Sequence, residues 1–130
     1  MLNFLDNNNV VLLIGRIFLA LIYLIGGLTW LFTLNLPIGY IAAKGFPAPA
    51  LLAWIALIFK LGGAVLVTLG YKTRLGAVML VLFTLVTAFG FHPPWVQGEY
   101  ITFMKELAMI GGLLVLAVVG PGAISLDAKR

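Results

Sequence analysis

Five side chains of this 130-residue chain could do chemistry where they stand: Lys60, Glu106, Trp30, His92 and Arg16. Lys60 sits about ten residues from either end of the apolar stretch 50–70. A lysine at the centre of a membrane helix costs about 2.5–3.5 kcal/mol on insertion scales. About eleven large apolar neighbours, at roughly 0.3–0.6 kcal/mol each, offset that cost. The stretch still inserts, but the ammonium must turn into the protein and find a partner. Side chains on a helix lean toward its N-terminus, so Lys60 is expected to reach outward. At that depth the candidates are Glu106, early in the last apolar stretch, and the face of Trp30. The expectation is a Lys60–Glu106 ion pair with Trp30 beside the ammonium. Two readings stand: a structural pair that fixes helix register, or the polar element of a ligand or proton site, the usual meaning of an intramembrane charge.

Arg16 lies about 9 Å into the first apolar stretch at 1.5 Å per residue. It either snorkels to lipid phosphates or enters the bundle to bind an anion or a carbonyl. His92, in Phe91-His92-Pro93-Pro94-Trp95, is the only histidine. It is either an interfacial loop residue or a hydrogen-bond donor to a ligand carbonyl, with Glu99 and Tyr100 close by in the same loop. One histidine does not make a metal site, and no co-ligand cluster accompanies it. Haem held by two histidines is excluded within one chain. A Ser/His/Asp arrangement is not credible, because the single serine, Ser125, falls on the side opposite His92.

The elements that must position these residues follow from composition. Hydrophobic residues make up 63% of the chain and charged residues 9%, with a mean hydropathy of +1.17. Eight basic and four acidic residues cannot cover a soluble surface. This argues against a soluble enzyme and a disordered tail. The basic residues are scattered, so the net charge of +4 does not indicate nucleic-acid binding. With no cysteine, a disulfide scaffold, thiol redox chemistry, thiolate zinc and Cys-ligated iron–sulfur clusters are ruled out. The class is an integral membrane protein.

Four stretches are long enough to cross the hydrocarbon core: about Val10–Leu34, Ala50–Gly70, Leu75–Phe91 and Phe103–Val119. They are continuously apolar rather than alternating, which selects helices over barrel strands. Pro37, Pro47, Pro49, Pro93, Pro94 and Pro121 all fall between or after them. The short 70–74 connection makes antiparallel neighbours. The expected fold is all-α: one domain over 1–130, an antiparallel four-helix membrane bundle. Lys72, Arg74, Lys129 and Arg130, with Arg16 nearby, outnumber Lys44 and Lys105 opposite. Both termini are therefore expected in the cytoplasm. Trp30, Trp54 and Trp95 fall where an outer interfacial belt would lie. The first nine residues hold Asp6 and no basic residue, so the first span is expected to be retained rather than cleaved. Asn7-Asn8-Asn9 reads as a cap before it.

Glycine pairs recur in three spans: Gly26-Gly27, Gly62-Gly63 and Gly111-Gly112. They are expected to let helices approach closely, with a cavity for a flat ligand as the other reading. Ala108 and Gly112 form a small-xxx-small step. No strand precedes any of these pairs, so none is a phosphate loop.

Five segments stand in a telling order and spacing: Gly15-Arg16-Ile17-Phe18-Leu19 with Gly26-Gly27; Lys60-Leu61-Gly62-Gly63 running to Leu69-Gly70-Tyr71-Lys72-Thr73-Arg74; Phe91-His92; Phe103-Met104-Lys105-Glu106 with Gly111-Gly112-Leu113-Leu114; and Gly120-Pro121-Gly122 through Asp127. Together they resemble the DoxX family of small four-helix inner-membrane proteins. Tyr40–Lys44 also looks like the family's interfacial turn in the first outer loop. The chain departs from the pattern at the charges. The family usually has glutamate where Lys60 stands, often lysine at Trp30 and asparagine at Glu106. The resemblance implies a multi-pass protein of the bacterial inner membrane. It further implies a subunit of a quinone-linked or stress-related redox system that binds a small apolar ligand, without its own metal or flavin. The ligand site would take in Lys60, Glu106, Trp30, His92 and Arg16. The implied partners are the lipid bilayer, a redox partner protein and, as an open option, a second copy of the chain; the implied cofactor is a quinone. The alternative is a non-catalytic membrane scaffold, assembly factor or lipid-binding module.

Overall fold

The computed structural model describes residues 9–122. Five helices follow one another: α1 (Asn9–Phe32), α2 (Asn35–Ala43), α3 (Pro49–Leu69), α4 (Thr73–Phe91) and α5 (Tyr100–Val119). Four of them, α1, α3, α4 and α5, are long and apolar enough to cross a membrane. The 21 residues of α3 rise about 31 Å at 1.5 Å each, the thickness of a hydrocarbon core. The described residues contain no strand.

The four spans match the expected ones to within three residues at each end. The short helix α2 is an addition. The first outer connection was expected as a turn over Tyr40–Lys44, and it forms instead a nine-residue helix that begins earlier, at Asn35. Pro37 sits in its first turn, where a helix leaves its N–H groups unbonded. Pro49 opens α3 in the same way. Asn9 is the first residue of α1; Asn7 and Asn8, expected as part of its cap, lie outside the described residues, as do Ser125, Asp127, Lys129 and Arg130.

α3 packs on α4, α4 on α5 and α1 on α3; α1 meets α5 more sparsely, and α2 rests on α3. Small residues set these approaches, as they do between helices in lipid. The centre is Ala20, Tyr23, Ala64, Val67, Ala77, Leu80, Leu113 and Leu116. The tightest crossing is Gly63 against Gly76: a Cβ on either would lie 3.0 Å from the carbonyl oxygen of the other. The α3–α4 turn is closed by Gly70 at φ +71°, with Tyr71 N–H donating to Leu66 O and Gly70 N–H to Val67 O. That pair of bonds is a Schellman motif, which a glycine makes without a Cβ penalty. Large apolar side chains such as Phe18, Phe32, Val86 and Val118 point outward, as lipid contact requires.

Candidate functional site

All four spans contribute to one cavity of about 140 Å³. Ile22 and Tyr23 come from α1, Lys60 from α3, Phe83, Thr84 and Thr87 from α4, and Glu106 and Met109 from α5. Lys60 reaches it across Gly26: a Cβ there would stand 2.7 Å from the ammonium. The missing side chain on α1 is therefore what gives the lysine its path. The ammonium lies 3.9 Å from the centre of the Trp30 ring and 5.4 Å from that of Phe83. Trp30 and Phe83 stand edge to face, centroids 6.1 Å apart, so the two rings brace each other around the cation.

Lys60 and Glu106 share the cavity but form no ion pair. The expected pair is corrected for a geometric reason. Both residues are placed at similar depth by their position in sequence, but their helices flank α4 on different sides. Glu106 turns instead to His92, whose Nε2 lies 3.6 Å from Glu106 Oε1. His92 Nδ1 is 2.6 Å from Glu99 Oε2. The other Glu106 oxygen, Oε2, is buried and takes no hydrogen bond from the protein. Such an atom costs about 1–3 kcal/mol, more when charged, unless something else donates to it.

Below the lysine, the polar wall is complete. Thr84 donates to Leu80 O at 2.7 Å. A hydroxyl has one proton, so in the 2.6 Å contact between Tyr23 and Thr84 the tyrosine is the donor.

Arg16 is elsewhere. It is 3% exposed, at the end of the bundle that carries the α3–α4 turn. Its Nη1 donates to Pro121 O at 2.6 Å and its Nη2 to Thr68 O at 3.3 Å. Arg74 works beside it, donating through Nε to Ala117 O at 2.8 Å. Both guanidiniums meet the carbonyl ends of helices, where cations are favoured. Of the two readings of Arg16, its contacts here are carbonyls within the bundle, and they place it apart from Lys60, Glu106, Trp30 and His92.

The family model for DoxX matches residues 11–93, most of the chain. The chain belongs to the DoxX family. The DoxX relatives include Inner membrane protein YphA of Escherichia coli, 39% identical over 126 residues, covering 92% of this chain and 90% of the relative. Inner membrane protein YqjF of the same organism is 38% identical over 89 residues, 68% of this chain and 67% of the relative. A more partial likeness runs to a Surfeit locus protein 4 homolog of Drosophila melanogaster, 37% identical over 51% of this chain and 27% of that protein. No solved structure matches.

In this DoxX chain the glycine pairs divide. Gly27 packs on Leu61, Gly62 on Met79, Gly63 on Leu80 and Gly112 on Leu19. Gly111 faces open space and makes no such approach, so the packing expected of it is corrected. Gly76, absent from the expected set because it has no adjacent glycine, is the glycine that faces Gly63 backbone to backbone. Tyr23, Thr84 and Thr87 were also missed as cavity residues. The signal was available: all three are polar residues inside apolar spans, and such residues face the bundle.

Proposed function

We propose that this DoxX-family protein is a multi-pass protein of the bacterial inner membrane that binds the ring of a small apolar molecule, a quinone or a close relative, among its four spans. We further propose that it serves as the membrane subunit of a redox or stress-response system whose electrons come from a partner. One observation carries the reading: a buried, unbonded carboxylate oxygen on Glu106 borders a cavity whose lining also includes a lysine. A ring carrying oxygen substituents suits both groups. Lys60 offers donors to one oxygen, and Glu106 accepts from a hydroxyl. Phe83, Ile22 and Met109 supply apolar walls. An apolar protein cavity of about 150 Å³ holds one benzene ring, and this cavity, at about 140 Å³, is close to that size. Trp30 holds the ammonium in place. A quinone bound there would supply the two-electron chemistry that the chain's own residues lack. The basic excess at the Arg16 and Arg74 end supports placing that end, with both termini, in the cytoplasm.

The test is extraction in native lipid followed by mass spectrometry of the co-purifying molecules. Stoichiometric quinone, retained by the wild type and lost in Lys60→Leu and Glu106→Gln, is the expected result. Bulk lipid alone, with both variants indistinguishable from the wild type, would sink the reading in favour of a scaffold or lipid-binding module.

A further inference from the structure

We infer that Glu99, His92 and Glu106 form a proton path that joins the membrane surface to the cavity. What gives or takes the proton at the inner end rests on the ring-ligand reading above. Glu99 and His92 are exposed to a similar degree, 30% and 28%, and Glu106 lies deeper at 12%. His92 bridges the other two with different ring nitrogens, Nδ1 at 2.6 Å from Glu99 and Nε2 at 3.6 Å from Glu106. This arrangement differs from a salt bridge, in which one contact would suffice. An imidazole that addresses a surface carboxylate with one nitrogen and a buried carboxylate with the other can pass a proton by exchanging tautomers.

The step balances. A proton on Glu106 moves to His92 Nε2 while the proton on Nδ1 moves to Glu99. The histidine stays neutral, Glu106 becomes a carboxylate, and Glu99 becomes a carboxylic acid that releases its proton to water. The reverse sequence brings a proton in. The 3.6 Å contact needs a shift of about 0.5 Å to reach hydrogen-bond range. His92 stands at the C-terminal boundary of α4 and continues into the loop before α5, a position where such a movement does not disturb a packed helix. The groups that face the path are few. Lys60 of α3 and Tyr23 of α1 line the same cavity as Glu106, and Thr84 and Thr87 of α4 complete its wall. Thr84 and Tyr23 are already bonded to each other, which leaves the carboxylate–imidazole chain as the titratable route outward from the cavity among the described residues.

The experiment follows hydrogen–deuterium exchange of the protonated Glu106 carboxyl by stopped-flow infrared spectroscopy, on the full chain in lipid nanodiscs at mildly acidic pH. Loss of the band in Glu106→Gln assigns it. His92→Gln keeps a polar side chain but cannot exchange tautomers, and Glu99→Gln leaves the imidazole but removes the outer acceptor. Exchange is expected to slow by about a hundredfold in His92→Gln, the lower end of what one positioned proton-transfer group contributes. Glu99→Gln should slow it as well. Wild-type exchange rates in whichever of these variants folds would overturn the path. So would a Glu106 carboxyl that takes no proton at any pH at which the protein stays folded. Quinone binding is measured separately in the same samples. Histidine-dependent exchange without bound quinone removes the ring-ligand reading and leaves the path. Bound quinone with histidine-independent exchange does the reverse.

Discussion

The two ends of this bundle hold buried polar charge in opposite ways. At one end Arg16 and Arg74 are bonded to backbone carbonyls of Thr68, Ala117, Val118 and Pro121. Those carbonyls lie at or beyond helix C-termini, where no intrahelical donor remains for them. At the other end Lys60 has an aromatic cage, Glu106 has a histidine at long range, and the space beside them is empty of protein. The arginines complete the fold. The lysine and the carboxylate are held by the fold but contribute little to it. A charge whose partners are the chain's own backbone is structural. A charge that fronts a cavity is available to something that enters.

The largest effect should come from breaking the satisfied end. Arg16→Met removes two charge-assisted hydrogen bonds, each worth about 1.5–3 kcal/mol. Apolar replacement often costs nothing when both members of a buried pair are removed. That escape is closed here, because the Pro121 and Thr68 oxygens belong to the main chain and stay behind. A loss of about 3 kcal/mol or more is expected, read as a lower thermal midpoint in nanodiscs. Arg16→Lys should recover only part of it, since a point charge cannot address two carbonyls as a guanidinium fork does.

The next effect sharpens what close approach means. Gly76→Ala would bring a Cβ to 2.8 Å from Leu66 Cβ and 3.0 Å from Gly63 O, both of them rigid. Overpacking of this kind costs about 1–3 kcal/mol. Gly111→Ala meets nothing and replaces a glycine inside α5, so stability should hold or rise, by at most about 1 kcal/mol. Equal behaviour of the two variants would mean that the α3–α4 crossing is looser than its geometry. A smaller loss, about 0.5–1.5 kcal/mol for one neutral hydrogen bond, is expected for Tyr23→Phe, because Thr84 keeps its bond to Leu80 O.

The four spans were legible because length and continuous apolarity are one-dimensional properties, and the bilayer fixes how many residues are needed. Their ends came within three residues for the same reason. The helix α2 was not legible: its nine residues are apolar but too few to span a membrane, they carry no one-sided apolar face, and a proline sits near their start. The site was half legible. The cost of a mid-membrane lysine forced Lys60 inward, and the aromatic ring of Trp30 was identified as its neighbour. The lysine–glutamate pair was not correctly placed, because sequence gives depth along a helix but not which side of α4 a neighbouring helix takes. His92 reached Glu106 through a loop that folds over the end of the bundle, and no periodicity encodes that return. Gly76 was invisible for a related reason: an isolated glycine gains its meaning only from the glycine it faces.

The smallest stability effect belongs to Lys60→Leu, and it tests the contrast between the ends most directly. A mid-span lysine carries an insertion cost of about 2.5–3.5 kcal/mol, and a cation–π contact returns about 0.5–2 kcal/mol of it. Leucine removes both terms and strands no backbone partner, since the ammonium makes none of the carbonyl bonds that Arg16 makes. The thermal midpoint should therefore stay level or rise slightly, while co-purified ring ligand is lost. A fall comparable to that of Arg16→Met would make Lys60 a structural charge like the arginines, and the division between a satisfied end and an open end would fail. A level midpoint with lost ligand would place the role of Lys60 in what enters the cavity rather than in what holds the helices together.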